Sequence, residues 1–310
     1  TKGSKKIKQD TFTPPRNINL SKKIDKNIEK TGKEKFIRSM GKVTTSLSKI
    51  GLDFRRTLFK QIHETLGGNL KVIICGAAPI DKEIIEKMSS YGIMLLQGFG
   101  TTETAPLIAG TSVKDNEFGT CGKAIEGAEV RIDIGNDGSK IGEVLVKGDN
   151  VMIGYYQMEK ETKEVIKNGW LHTGDLGYFN NNGNLVLTGR SKNVIVTSNG
   201  KNIYPEELEN EVNKISLVNE SMIYGKKDPK KKEELIVTAR VTLDEEYIKE
   251  KYGKNRPSDD EIKDEIWSEI KQINKRMVTY KAIKALEIKK DEFSKTTTMK
   301  IKRFEEVKKI

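Results

Sequence analysis

Residues 70–103 constrain the fold more than any other stretch of this chain. Leu70–Cys75 is a short apolar run of strand length, closed by the turn Gly76-Ala77-Ala78-Pro79. Asp81 is placed to cap a helix carrying Ile84, Ile85 and Met88, and Gly92 ends it. Ile93–Gln97 is a second apolar run, followed by Gly98-Phe99-Gly100-Thr101-Thr102-Glu103. Strand, loop, helix, strand, loop with a right-handed crossover predicts two parallel, buried strands. Both loops then leave the carboxyl edge of the sheet, where open α/β sheets bind ligands. Two loops distant in sequence are therefore expected to line one crevice.

The rest of the 310 residues reads as further units around this one. Residues 1–17 read as coil closed by Pro14-Pro15, and Ile18, Ile24 and Ile28 suggest a weak helix. Phe36, Met40, Val43, Leu47 and Ile50 form one helical stripe. Asp53 is the expected N-cap of a helix bearing Phe54, Leu58, Ile62 and Leu66, stopped by Gly67-Gly68. From 119 to 188 the pattern is β: a hairpin around Asp137-Gly138, another around Asn180–Gly183, and a short helix at Glu159–Ile166 between them. This predicts a small barrel or layered β subdomain.

After Gly189-Arg190, Pro205 suits the first turn of a helix running to Ile215. Leu217–Tyr224 and Leu235–Leu243 read as strands joined by a charged turn. Ser258 and Glu261 make a capping box before Ile262, Ile266, Ile270 and Ile273. Ala285–Ile288 is a last strand, and Ser294–Arg303 reads as a surface loop. The expected class is α/β followed by α+β, divided as 1–188 and 189–310. Within the first part, 1–66 is a basic helical lead-in, 70–118 the βαβ unit and 119–188 the β subdomain.

Charge is localised. Residues 1–60 hold 17 Lys/Arg against 5 Asp/Glu, whereas the remaining residues hold 39 against 40. A basic segment of this kind can dock an anionic membrane surface or bind nucleic acid, or be a solvated face. Its aromatics, Phe12, Phe36, Phe54 and Phe59, fall mostly at helix-core spacing rather than as stacking platforms. The expectation is no nucleic-acid partner, with peripheral contact at an anionic membrane surface as the weaker hypothesis. No apolar run reaches the ~20 residues of a bilayer span. A cytoplasmic protein, with that contact at the inner membrane face, is the reading. Cys75 and Cys121 lack metal spacing, and Cys75 reads as a buried small hydrophobe.

Four blocks in order then carry a resemblance. Gln97–Thr104 reads QGFGTTET, Gly169–Gly177 reads GWLHTGDLG, and Gly189–Glu209 reads GRSKNVIVTSNGKNIYPEELE. Thr298–Arg303 reads TMKIKR. Together they resemble the adenylate-forming superfamily of AMP-forming acyl-CoA synthetases, most like the long-chain fatty-acid–CoA ligases. The resemblance spans residues from about 70 to 303 and is specific because four motifs keep the family's order. It implies that 1–188 belongs to a large adenylate-binding domain and 189–310 to a small mobile one. It implies ATP/AMP, Mg²⁺ and coenzyme A as ligands, and a fatty acid as substrate.

The resemblance assigns roles residue by residue. Gly76, Ala77, Ala78 and Pro79 with Phe99, Gly100 and Thr101 would form the adenine slot, small residues letting backbone approach the base. The family usually has Tyr where Phe99 stands, so stacking is kept without the hydroxyl. Thr102 would donate to the α-phosphate, and Glu103 would hold Mg²⁺, a hard ion suited to carboxylate oxygen. Asp175 would accept from both ribose hydroxyls, with Arg190 adding donors. Lys300 would be the catalytic cation, although Lys-rich surroundings make a plain surface lysine the competing reading. Lys192 stands at the hinge position, and Gly200 would line the CoA thiol channel. Trp170 and His172 read as structural, and Met299 stands where the family usually has Gly.

A triphosphate-binding loop and the upstream acyl pocket are not found, so the chain alone is expected to hold AMP weakly and not to turn over. Three competing readings stand beside this one: an acyl-AMP ligase serving a carrier protein or oxygen, a non-catalytic basic docking module, and a nucleic-acid binder.

Overall fold

A computed structural model describes residues 53–76, 80–135, 139–227, 235–297 and 299–308. The expected helices over 18–50, the turn residues Ala77, Ala78 and Pro79, the Asp137-Gly138 turn and Thr298 lie outside the described residues. The chain divides into two compact units, one ending at Glu126 and one running from Gly127.

In the first unit, the helix expected from Asp53 is two short ones, α1 (Arg55–Leu58) and α2 (Lys60–Thr65), broken at Phe59. Phe54 is the residue just before the first helical turn, and Asp53 caps from one position earlier, its Oδ1 accepting from Arg55 N at 3.1 Å. The carboxylate also pairs with the Arg55 guanidinium at 2.6 Å, which holds it below the ordinary carboxylate range. Phe59 turns inward and meets Tyr91 edge-on at 5.1 Å.

Strand β1 (Val72–Cys75), helix α3 (Lys82–Ser90) and strand β2 (Met94–Phe99) make the βαβ unit. The strands are parallel, with Cys75 opposite Gln97. Asp81 caps α3 by accepting from Glu83 N at 2.7 Å. Ile85, Met88, Tyr91, Ile93, Leu95, Phe59 and Cys75 form the core between helix and sheet. Strands β3 (Ala109–Gly110) and β4 (Lys123–Ala124) extend the sheet in the order β1-β2-β3-β4. The expected burial of β1 is corrected. Among the described strands it lies at the edge, and Ile74 is 79% exposed.

The second unit begins with an antiparallel sheet. Its strands are β5 (Ala128–Ile134), β6 (Gly142–Gly148), β7 (Ile166–Lys167), β8 (Trp170–Phe179) and β9 (Leu185–Arg190), with helix α4 (Glu159–Val165) before β7. Pairing runs β5-β6-β8, with β7 and β9 sharing the far edge of β8, so the described strands form an open sheet rather than a barrel. A small two-stranded ribbon comes next, β10 (Ile195–Val196) on β11 (Asn202–Ile203).

Helix α5 (Pro205–Val212) starts with Pro at its first turn, where a missing N–H costs nothing. Strands β12 (Val218–Lys227) and β13 (Leu235–Leu243) form a hairpin, and β14 (Ala285–Ile288) adds parallel to β13. Helix α6 (Glu245–Tyr252) precedes α7 (Asp259–Lys275), which opens with the Ser258–Glu261 capping box. Ile262, Ile266, Ile270 and Ile273 of α7 are buried with Leu208, Val212, Ile223 and Val241 in one core.

The tail expected as a surface loop is a pinned hairpin. Lys295 bridges Ile301, Lys302 N donates to Ser294 O at 2.8 Å, and Phe293 is buried against Met222 and Tyr224. A short helix α8 (Arg303–Lys308) ends the described chain. Apolar burial of Phe293 and buried ionic contacts override the polar composition that suggested a free loop.

Candidate functional site

In the first unit the ends of β1 and β2 lie side by side. In-register pairing puts Gly76 beside Gly98, so that a Cβ on Gly76 would lie 3.5 Å from Gly98 O. Gly100 tolerates no side chain at all, because its Cβ would fall 1.8 Å from Pro106 O. Thr102–Thr104 is a single 3₁₀ turn, in which the Thr104 hydroxyl accepts from Thr101 N at 3.1 Å and donates to Thr101 O at 3.0 Å. This turn leaves Thr102 exposed and Glu103 half-buried. Phe99 is 7% exposed, because alternation along β2 puts Leu95, Gln97 and Phe99 on the inward face. Its ring is thus a core ring.

The second unit gathers a charged cluster. Between β6 and β8 the register jumps from Leu145 opposite His172 to Glu143 opposite Leu176, so β8 carries extra residues and bulges at Thr173–Asp175. Gly174 takes φ +70°, a left-handed conformation that suits glycine. Glu143 fills the bulge. One carboxylate oxygen accepts from Gly174 N at 2.9 Å, and the other lies 2.8 Å from His172 Nδ1. Thr173 Oγ1 donates to Val144 O at 2.8 Å and accepts from Asp175 N at 3.1 Å. The bulge thereby aims Asp175.

Across the ladder, Asp175 faces Arg190, whose Nε lies 3.0 Å from Asp175 Oδ1 and whose Nη1 donates to Thr173 O at 2.9 Å. Burial pushes the Asp175 carboxyl up, against the pull of Arg190 and Lys300, and Glu206 and Glu143 push it further. Burial also pushes the Lys300 ammonium down, Arg190 adds to that, and Asp175 opposes it. Arg190 thus pairs directly with Asp175, and Lys300 feels the charge of both.

Lys300 sits near the tip of the tail hairpin, its N–H donating to Thr296 Oγ1 at 3.1 Å and its carbonyl accepting from Thr296 N at 2.8 Å. Met299 beside it has φ +62°, a position that suits the Gly expected there. Below the hairpin, Arg303 forms an ion pair with buried Glu209 and donates to Ile223 O at 3.1 Å. Burial pushes the Glu209 carboxyl up while Arg303 pulls it back. Ser294 N donates to Glu306 Oε1 at 2.9 Å, and Lys295 pairs with Glu220 at 2.8 Å. Lys192 is exposed in the 3₁₀ turn Ser191–Asn193. Gly200, at φ +70° in the β10–β11 turn, has open space where a Cβ would be.

Glu143, Glu206, Glu209 and the anchoring role of Arg303 escaped the sequence reading. Glu206 and Glu209 stand three apart on α5 just after Pro205, a spacing that puts both on one face. That face was the available signal. Among the described residues no three His, Cys, Asp or Glu cluster as a metal cage. Mg²⁺ is ordinarily held by one or two carboxylates together with phosphate oxygens and water, which a single Glu103 fits.

Residues 25–156 match the family model described as AMP-binding enzyme, and residues 192–309 match that of the AMP-binding enzyme C-terminal domain. The chain belongs to the AMP-binding, adenylate-forming enzymes. It is similar to the long-chain-fatty-acid–CoA ligase FadD15 of Mycobacterium bovis, 30% identical over 265 residues, covering 81% of this chain and 42% of that protein. It is also similar to the 2-succinylbenzoate–CoA ligase of Listeria innocua, 37% identical over 164 residues, covering 52% of this chain and 34% of that one. Among solved structures, the O-succinylbenzoate coenzyme A synthetase of Bacillus subtilis in complex with ATP and a magnesium ion matches with TM-score 0.62 and 26% identity. That match covers 80% of this chain and 49% of the other. The chain thus spans less than half the length of these relatives. Their names agree on acid–CoA ligase and differ in the acid.

Proposed function

We propose that this chain is part of an enzyme that activates a carboxylic acid with ATP to acyl-AMP and then passes the acyl group to coenzyme A, the acid being a long-chain fatty acid. The convergence of Asp175, Arg190 and Lys300 carries the reading, because ribose hydroxyls, phosphate and a catalytic ammonium need those groups together. The fatty-acid assignment is supported by FadD15, whose match to this chain is longer than that of the 2-succinylbenzoate–CoA ligase.

In the first half-reaction a carboxylate oxygen bonds to the α-phosphorus as the bond to pyrophosphate breaks. Asp175 accepts from the ribose diol and Arg190 donates beside it. The Lys300 ammonium would stabilise charge gathering on the α-phosphate oxygens, and the resemblance gives Thr102 a donor role in the same half-reaction. The resemblance assigns Gly76–Pro79, Phe99, Gly100 and Thr101 to the purine. Glu103 would hold Mg²⁺, which would supply positive charge at the phosphates. In the second half-reaction the CoA sulfur bonds to the acyl carbon and the AMP oxygen leaves, with Gly200 beside the thiol arm. Residues 189–310 turn about Lys192 between the halves.

Pyrophosphate release by an enzyme of the relatives' full length tests the reading. Lys300→Ala with unchanged adenylation would reject it. Acyl transfer to a carrier protein but not to CoA would favour the carrier-loading ligase instead. The net charge of residues 1–60 supports peripheral contact with anionic lipid, in a cytoplasmic enzyme with no nucleic-acid partner. Flotation with anionic vesicles that does not weaken with salt would reject this contact.

A further inference from the structure

Gly189 lies within β9 opposite Leu176, in extended backbone that any residue adopts. What it lacks is room. A Cβ there would fall 2.5 Å from Glu206 Oε2, 3.3 Å from Glu206 Cδ and 3.7 Å from Tyr204 Cβ. Glu206 Oε1 accepts from Asn193 Nδ2 at 2.6 Å and lies 3.9 Å from Arg303 Nη2. Its Oε2 is buried and has no hydrogen-bond partner among the described residues. A buried carboxylate oxygen left unpaired is costly, so its closeness to β9 is not explained by local hydrogen bonding. One side chain therefore touches the strand that carries Arg190, the linker next to Lys192, and the arginine three residues beyond Lys300.

We infer that Gly189 and Glu206 act as a contact gauge: bare backbone at Gly189 lets Glu206 close onto β9, and that closure holds the Lys300 hairpin at the Asp175–Arg190 pair. Both are positioning residues, since neither has been placed against a reacting atom. The link from Glu206 to Lys300 runs through Arg303, which is itself fixed by Glu209 and Ile223 O. The inference rests on the proposed role of Lys300 and adds what sets its place. A methyl at Gly189 must push Glu206 away, and Glu206→Asp, shorter by one carbon, makes room for it.

The test has two arms. In the chain itself, ¹³C-methylation of lysines and NMR titration follow Lys300, assigned with Lys300→Arg. Wild type titrates below an ordinary lysine, Gly189→Ala moves the midpoint back toward the ordinary value, and Gly189→Ala with Glu206→Asp restores it. Glu206→Gln fits the same space, weakens the link to Arg303 and shifts the midpoint in the same direction as Gly189→Ala, so the test survives if Gly189→Ala does not fold. In an enzyme of the relatives' length, Gly189→Ala lowers acyl-adenylate formation on the order of 10²-fold, the scale of a small misplacement. Thioester formation from preformed acyl-AMP changes by less than about twofold. An unmoved Lys300 midpoint in both variants, or an equal fall in both half-reactions, overturns the inference. Lys300→Ala with intact adenylation overturns the function proposed for Lys300 instead, and leaves the titration result to stand alone.

Discussion

Asp175 and Lys300 show opposite shifts from the same cause, loss of water around a charge. For Asp175 the folded carboxyl holds its proton more tightly than the unfolded one. Its contribution to stability is therefore largest below the unfolded value and is lost as pH rises through the raised folded value. Asp175→Asn removes the buried charge, so at pH 7 it is expected to raise stability within about 1 kcal/mol in urea melts, while AMP titration by calorimetry reports weakened binding. In the proposed mechanism the Lys300 ammonium is the working form, and its pKa lies below the ordinary 10.5. Adenylation should then fall on the alkaline side at lower pH than a free lysine would give, and Lys300→Arg should move that limb upward. Lys300→Ala should cost roughly 10²–10³-fold in adenylation rate. The sequence pointed to Asp175, Arg190 and Lys300 through motifs alone. It could not indicate Glu143, because its partners, His172 and Gly174, are about thirty residues away and meet it only through the β6–β8 ladder.

At the scale of elements, local signals were read well where they act over three or four residues. Asp81 caps α3 and Ser258 caps α7 as their positions suggest. Ser258→Ala should destabilise the second unit by about 1 kcal/mol, measured by chemical denaturation. Gly100→Ala should cost about 1–3 kcal/mol in the first unit, because the methyl meets a backbone oxygen rather than a movable side chain. Met299→Gly relieves a left-handed φ and should stabilise the tail hairpin by up to about 1 kcal/mol, seen as slower amide exchange at 296–302. Elements whose character depends on distant partners were read less well. The helix from Asp53 breaks where Phe59 finds Tyr91, and the tail folds because Phe293 and Arg303 find buried partners.

Across the whole molecule, the basic first 60 residues and the near-neutral remainder make charge a property of one segment. The two compact units divide after Glu126, and the second carries the Asp175, Arg190 and Lys300 cluster complete. That cluster should hold AMP through ribose and phosphate even when other contacts are weak. Calorimetric titration of the chain should therefore show binding that Asp175→Ala abolishes, and salt should weaken it by screening Arg190 and Lys300.

The motif order, the parallel βαβ unit, the helix caps and the apolar stripe of α7 were decided by the sequence itself, since each depends on residue type at short, fixed spacing. Tertiary structure alone decided that a bulge in β8 sits beside the Asp175–Arg190 pair, that Phe99 is a core ring, and that Glu206 lies against the bare backbone of Gly189. The reason is physical: burial, register and clearance are properties of neighbours brought together from far along the chain, and they come into being only when the chain has folded.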